Sequence, residues 1–348
     1  MKAFHKHIIY LDTSINESLE RLNVLNTDVI LFIADSNNKL MGSLTDGDLR
    51  RGFIKGLGMN NHLSEFMNIE PKFIQQGKYN LKEIIALREI YINVFPVVNS
   101  EMQIVNIVNF RLQKSYLPVD ALIMAGGRGE RLRPLTDTVP KPLLHVGGKA
   151  IIEHNIDRLN AYGIDDIWIS LNYLGEQIVD YFEDGNSKSV RIKYVWEEDA
   201  LGTAGALGLV DGFIHEHILM MNSDLLTNIN FEDFYIFMEE VEADFAVACI
   251  PYQVNVPYAV METIDNKVVG FKEKPTYTHY SNAGIYLMKR EVINLVPKHK
   301  HFNATDLMEI LIAKGKKVVS YPLVGYWLDI GKHEDYNKAQ LDFAHVKF

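Results

Sequence analysis

The chain has 348 residues, of which 47% are apolar and 11% aromatic. That is enough for a sizeable core and excludes a disordered chain or a small disulfide-stapled domain. Its 35 basic residues against 45 acidic give a net charge of −10, which argues against a nucleic-acid or anionic-membrane partner, because both need a positive field. Cys249 is the only cysteine, so no internal disulfide can form. With no signal-peptide core and no apolar run near the ~20 residues of a bilayer span, a cytoplasmic protein is expected.

Charge divides unevenly along the chain. Residues 1–115 carry 13 Lys/Arg and 12 Asp/Glu, whereas the remainder carries 22 and 33. The joint is expected at Lys114 to Val119, where Pro118 interrupts regular structure before an apolar run begins at Ala121. Two domains follow, 1–115 and 120–348.

The first part holds a weak internal repeat. Helical spacing covers Ile15 to Leu25 and a buried-strand run covers Val29 to Asp35. A polar turn, a second strand from Leu40 to Leu44, and Thr45-Asp46-Gly47-Asp48 come next. At an offset of 64 residues the order recurs: a helix over Leu81 to Tyr91, then strands Phe95 to Asn99 and Ile104 to Val108. Two units of about 60 residues predict a pseudo-twofold pair. Residues 8–113 resemble a tandem pair of CBS domains, an α+β module, with Lys39 to Asp48 matching that family's strand and Thr-x-x-Asp nucleotide signature. The resemblance implies a phosphate contact for Thr45 and a ribose contact for Asp48. In the second copy Asn109 and Leu112 stand at those places, so at most one half-site is complete. The module is read either as a nucleotide sensor or as a dimerising element, and a homo-oligomer is expected.

The second part alternates strand and helix signals. Apolar runs at Ala121–Ala125, Ile167–Leu171, Arg191–Trp196, Ile218–Met221 and Phe245–Ile250 predict strands. Helices are predicted over Ile151–Tyr162, Gly175–Phe182, Thr203–Leu209 and Phe231–Glu239. This order implies an α/β layer fold with a largely parallel sheet. Alternation around Asp265-Asn266 predicts an antiparallel hairpin within Tyr258–Lys274.

The strongest chemical signal is Ala125-Gly126-Gly127-Arg128-Gly129-Glu130-Arg131-Leu132-Arg133-Pro134-Leu135-Thr136, followed by Pro140-Lys141-Pro142-Leu143. Glycines after a buried strand let backbone N–H groups approach a phosphate chain. From 126 to 149 five basic residues face two acidic ones, a local reversal of sign that suits a polyphosphate. Leu132 excludes the dinucleotide G-x-G-x-x-G, and Leu143 with Ala150 excludes the Walker sequence.

This segment resembles the signature of sugar-1-phosphate nucleotidyltransferases, and the likeness runs from 120 to about 340. It is similar to the branch that includes mannose-1-phosphate and heptose-1-phosphate guanylyltransferases, enzymes built on a Rossmann-like mixed sheet. The resemblance implies that Gly126, Gly127, Gly129 and Arg131 hold a triphosphate and that Lys141 contacts phosphates at the reacting centre. It implies a base site at Glu197 and Gly202, and Mg²⁺ held by Asp224 and Asp329. Glu273 and Asn282 would meet sugar hydroxyls, and Lys274 the sugar phosphate. A carboxylate at Glu197 can accept from the N1–H and N2–H₂ edge of guanine, so GTP is the expected donor. The substrates implied are thus an NTP and a sugar 1-phosphate, and the products an NDP-sugar for cell-surface glycans and pyrophosphate. A uridylyl- or thymidylyltransferase, and a regulator that senses nucleotides without catalysis, stay open.

Overall fold

A computed structural model describes residues 3–346. Two compact units are present: one runs to Pro118 and includes Ala161–Gly163, and the other holds Val119–Asn160 and the chain from Ile164 onward.

The first unit is built twice over. Its first half comprises β1 (Ile8–Tyr10), α1 (Ile15–Leu25), β2 (Ile30–Ala34), β3 (Leu40–Thr45) and α2 (Asp46–Ile54); its second, β4 (Ile74–Gln75), α3 (Leu81–Glu89), β5 (Val94–Val98) and β6 (Ile104–Asn109). Each three-stranded sheet has a parallel then an antiparallel pairing, β1-β2-β3 and β4-β5-β6. The offset of 64 persists in the backbone. Bulges fall at Ile33/Ala34 and Val97/Val98, and Asn38 and Met102 both turn at positive φ. The two turns bond each other reciprocally: Leu40 N–H donates to the Met102 carbonyl and Ile104 N–H to that of Asn38, each at 2.9 Å. Ala34, Leu40, Val98 and Ile104 share one apolar cluster there.

The second unit is a mixed α/β layer fold. Its strands and helices, in chain order, are β7 (Val119–Met124), β8 (His145–Val146), β9 (Lys149–Ala150), α4 (Ile151–Ala161), β10 (Asp166–Leu171), α5 (Gly175–Phe182), β11 (Arg191–Trp196), β12 (His217–Asn222) and β13 (Leu225–Thr227). Then come α6 (Phe231–Glu240), β14 (Phe245–Asn255), β15 (Val260–Ile264), β16 (Lys267–Lys272), β17 (Thr276–Lys289), α7 (Ala304–Ala313), β18 (Val318–Pro322), β19 (Trp327–Asp329) and α8 (His333–Phe343). The central sheet has seven strands in the order β11-β10-β7-β12-β17-β14-β18, with β17 alone antiparallel to its neighbours. Strand order reverses beside β7, which places a crevice at the carboxyl ends of β7 and β12. Leu122, Met220, Phe245 and Met288 pack with Leu307 and Leu311 of α7 in the main core. No helix among the described residues is long and apolar enough to cross a membrane.

Two elements depart from the sequence reading. Residues 203–209 form only a short 3₁₀ turn, Gly205–Leu209, pinned by Thr203 and Ala204 to the chain around Phe302–Ala304. Strands β14 and β17 pair on well past the sheet, to Asn255 and Thr276. Just ahead of β14, the Asp244 carboxylate pairs with Lys289 at 3.1 Å and Lys316 at 3.8 Å. The hairpin falls as expected, with Asp265 and Asn266 both at positive φ between β15 and β16, the geometry a two-residue turn needs.

Candidate active site

The glycine run follows β7 directly. A methyl added at Gly126 would lie 3.2 Å from Glu197 Oε1 and 3.3 Å from Asn172 Cβ. Gly129 turns at φ +62°, where a side chain would meet Lys141 Cβ and Thr136 Cγ2 at 3.0 Å. The Thr136 hydroxyl donates to the Gly129 carbonyl at 2.9 Å. Around Gly127 the space is open. The loop is thus held closely at both ends, against Glu197 and Asn172 at one and Thr136 and Lys141 at the other, and free in the middle.

Four charged groups converge beyond it. Lys141 enters from a 3₁₀ turn begun by Pro140, is buried, and pairs through Nζ with Asp224 Oδ2. Asp224 follows β12 by two residues. Asp329 ends β19, which pairs antiparallel with β13 so that Asp329 lies opposite Leu225. Ile330 N–H donates to the Asp224 carbonyl at 3.0 Å, closing that corner. Arg131 lies over Gly331, with Nη2 3.2 Å from where a Cβ would stand. Buried apolar neighbours fix these positions. Leu132, Leu328 and Ile330 flank the charged residues in sequence and share a cluster with Leu144, Ile151 and Leu226.

The electrostatics are unbalanced in a particular way. Burial and the nearby Asp224 carboxylate push the Asp329 carboxyl above its ordinary value, while Lys141 and Arg131 oppose them. Asp224 Oδ1 and Asp329 Oδ1 are both buried without a hydrogen-bond partner among the described residues. Two lone carboxylate oxygens brought together from distant strands are a donor set for a hard cation such as Mg²⁺. The residues present fit that ion.

Glu197 lies at the neighbouring strand end. It is buried, and its Oε2 accepts the Leu201 N–H at 2.9 Å. Its carbonyl takes the Asn172 side-chain N–H at 2.7 Å. Gly202 turns at φ +78°, and a Cβ there would strike Asn303 Oδ1 at 2.6 Å and the Phe302 carbonyl at 2.9 Å. The carboxamide of Asn282 accepts from Gly284 N–H at 2.9 Å and donates to the Tyr286 hydroxyl at 2.8 Å.

The structure therefore brings together Gly126 with Glu197, Gly129 with Lys141, and Arg131 and Lys141 with Asp224 and Asp329. It does not bring in Glu273 and Lys274. Both are exposed at the turn between β16 and β17, with no ion pair or side-chain hydrogen bond among the described residues. Asn172 was missed by the sequence reading, although a polar residue directly after the apolar strand Ile167–Leu171 was a signal for it. Asn222, at the end of β12, comes within 2.6 Å of the place a Gly284 Cβ would take. In the first unit, Asp48 Oδ2 accepts the Thr45 N–H at 2.8 Å and the Thr45 hydroxyl at 2.6 Å, while Oδ1 takes Arg51 at 2.6 Å. This pair closes a capping box on α2.

A family model described as nucleotidyl transferase matches residues 120–345. The chain belongs to the nucleotidyl transferase family. A mannose-1-phosphate guanylyltransferase of Mycobacterium tuberculosis is 32% identical over 234 residues, 65% of each chain. The bifunctional protein GlmU of Methanocaldococcus jannaschii is also 32% identical, over 64% of this chain and 55% of its own. The chain thus spans less than two thirds of these relatives. A solved Bacillus anthracis structure, described as a glucose-1-phosphate thymidylyltransferase in complex with a sucrose, is 25% identical, with a TM-score of 0.54 over 66% of this chain and 97% of its own.

Proposed function

We propose that this nucleotidyl transferase family member moves a nucleotidyl group from an NTP to a sugar 1-phosphate and releases pyrophosphate. The observation that carries this reading is the cluster of Arg131, Lys141, Asp224 and Asp329 at the carboxyl ends of the parallel strands, with two carboxylate oxygens unmatched. The new bond forms between a sugar-phosphate oxygen and the α-phosphorus; the bond from that phosphorus to the bridging oxygen breaks. The attacking oxygen is ionised at pH 7, so no general base is needed, and catalysis rests on positioning and charge. Asp224 and Asp329 would hold Mg²⁺, which supplies charge neutralisation across the substrate phosphates. Lys141, released from Asp224, turns to the phosphates, and Arg131 meets the leaving side. Gly126, Gly127 and Gly129 give the triphosphate its backbone approach. Glu273, Lys274 and Asn282 receive the sugar phosphate, the first two by movement of the exposed hairpin.

GTP is the donor in this reading. Glu197 is buried beside Gly126, where a base following the triphosphate would reach it, and Gly202 shapes the same wall. Guanine offers two donors to a carboxylate, whereas uracil and thymine would set carbonyl oxygens against it. The relatives include guanylyl- and uridylyltransferases by name, so the base is the point to test. A matrix of five nucleotides against sugar 1-phosphates, read by pyrophosphate release, should show GTP turned over fastest. A preference for UTP or dTTP would overturn the role of Glu197, and no pyrophosphate from any pair would leave a nucleotide-sensing regulator.

For the first unit we propose a CBS-like pair with Thr45 and Asp48 as its nucleotide half-site. Binding there requires Asp48 to exchange its bond to Thr45 for a ribose hydroxyl. Calorimetry of the full chain with adenine and guanine nucleotides, with and without Thr45→Val, tests it. Loss in Thr45→Val of an equivalent beyond the one expected at the Gly126–Lys141 loop supports the half-site, and an unchanged number of equivalents rejects it and favours the dimerising role.

A further inference from the structure

The amino ends of the same parallel strands carry a second charged group. Asp120 is the second residue of β7, Asp166 the first of β10, and His215 lies two residues before β12. Asp120 is 0% exposed and His215 8%. One donor atom from each of the three lies within 4.8 Å of the others. Asp165, also buried, adjoins them.

One guanidinium faces these three carboxylates, together with the His215 imidazole, whose Nε2 lies 3.7 Å from Asp166 Oδ2. Arg191 reaches Asp166 through Nε at 2.7 Å and Nη2 at 2.6 Å, and Asp165 through Nη2 at 3.0 Å. Asp120 Oδ2 accepts the N–H groups of Ile214 and His215, both at 2.7 Å. Its other oxygen, Oδ1, is buried with no hydrogen-bond partner among the described residues, and so is His215 Nδ1. Three carboxylates against one guanidinium leave two negative charges uncompensated, and a buried site does not tolerate that. Two protons would balance them. One divalent cation would balance them with the imidazole neutral, within reach of one donor atom from each of Asp120, Asp166 and His215.

We propose that Asp120, Asp166 and His215 bind a divalent transition-metal ion as a structural site separate from Asp224 and Asp329. One imidazole nitrogen with carboxylate oxygens suits Zn²⁺ or Mn²⁺. Arg191 and the backbone N–H groups of Ile214 and His215 are the outer contacts that hold the carboxylates in place. The site ties the starts of β7 and β10 to the approach of β12. Along the chain it lies roughly 20 Å from the glycine loop, the six residues from Asp120 to Gly126 at about 3.3 Å each.

The test is Zn²⁺ binding by the full chain after chelator treatment. An Asp224→Asn/Asp329→Asn double variant isolates the new site from the one in the proposed function. It should retain one equivalent of Zn²⁺ in equilibrium dialysis and melt at a higher temperature with it. Adding His215→Gln should remove that equivalent or weaken binding at least tenfold. No bound Zn²⁺ in the double variant, or unchanged binding after His215→Gln, overturns the proposal and leaves two protons as the balance. Should His215→Gln not fold, a crystal of the wild-type chain grown with Zn²⁺ decides. An anomalous peak beside His215 supports the site, and its absence overturns it.

Discussion

The two edges of the central sheet treat buried carboxylates in opposite ways. At the carboxyl edge, Asp224 and Asp329 face flexible counter-charges, the Lys141 ammonium and an exposed Arg131. At the amino edge, Arg191 holds Asp166 with two parallel bonds and touches Asp165 as well. A lysine is a compact charge on a flexible stem and can change partners; a bidentate arginine fixes geometry. In the proposed function the first edge exchanges its cation for substrate and metal, whereas the second is fastened.

That contrast predicts where mutations act. Asp224→Ala should lower turnover at least about a hundredfold, ~2.7 kcal/mol of barrier, with an unchanged melting temperature. Near-normal turnover would sink the assignment. Arg191→Met should do the reverse. It strands two buried carboxylates, softened by the guanidinium's own partial exposure, and should cost about 2–3 kcal/mol. For a unit of this size that is a fall of roughly 5–10 °C, with kcat per folded molecule within about twofold of wild type. Burial alone would raise Asp166, but the His215 and Arg191 interactions outweigh it and hold the carboxyl well below its ordinary value. A depressed carboxyl stabilises above its unfolded value of about 3.8, and that contribution fades as pH falls further. With Arg191 gone the stranded buried carboxyls take up protons at a higher pH than in the intact pair, and burial already pushes Asp165 above its ordinary value, so the deficit of Arg191→Met should shrink as pH falls from 7 to 5. Smaller again is Glu197→Gln, which keeps shape and removes charge. The ratio of GTP to UTP turnover should drop about tenfold, near 1.4 kcal/mol; an unchanged ratio would show that Glu197 does not read the base.

The carboxyl edge was largely legible in the sequence, because its chemistry sits in contiguous runs. Gly126 to Lys141 announces itself by glycines and a reversed charge, and Asp224 and Asp329 each end an apolar run. The pairing of β13 with β19 that joins those two aspartates could not be read from residues some hundred positions apart. The amino edge was illegible for a related reason. Asp120, Asp166, Arg191 and His215 are single polar residues at strand starts, and only the register of β7, β10 and β11 brings three of them together. Residues 203–209 misled because helical spacing was overridden by tertiary bonds to Phe302 and Ala304. The repeat in the first unit was legible at 64 residues, but not that Thr45 and Asp48 would satisfy each other.

A third carboxylate group, on the flank of the second unit, sharpens the contrast because water reaches it. Lys188 Nζ meets Glu153 Oε1 at 2.5 Å and Asp157 Oδ1 at 2.9 Å, while Tyr181 donates to Glu153 at 2.8 Å. Burial would raise both carboxyls, yet the lysines and Tyr181 outweigh it and both lie below their ordinary values of 4.5 and 3.8. Burial likewise would lower Lys188, and its two acidic partners outweigh that to raise it. Depressed carboxyls stabilise above their unfolded values and lose that stabilisation as pH falls through the folded ones; a raised lysine does so below its unfolded value and loses it as pH rises through the folded one. The network is thus fully charged between about pH 5 and pH 10. Lys188→Met should cost about 1 kcal/mol across that window, as a half-wet pair does. The cost should shrink as pH falls from 4.5 toward 3, where the carboxyls protonate and Lys188 loses its partners. Urea midpoints of both proteins at pH 7, 5 and 3.5 measure it. A difference as large at pH 3.5 as at pH 7 would mean that Lys188 acts through packing of its stem rather than its charge.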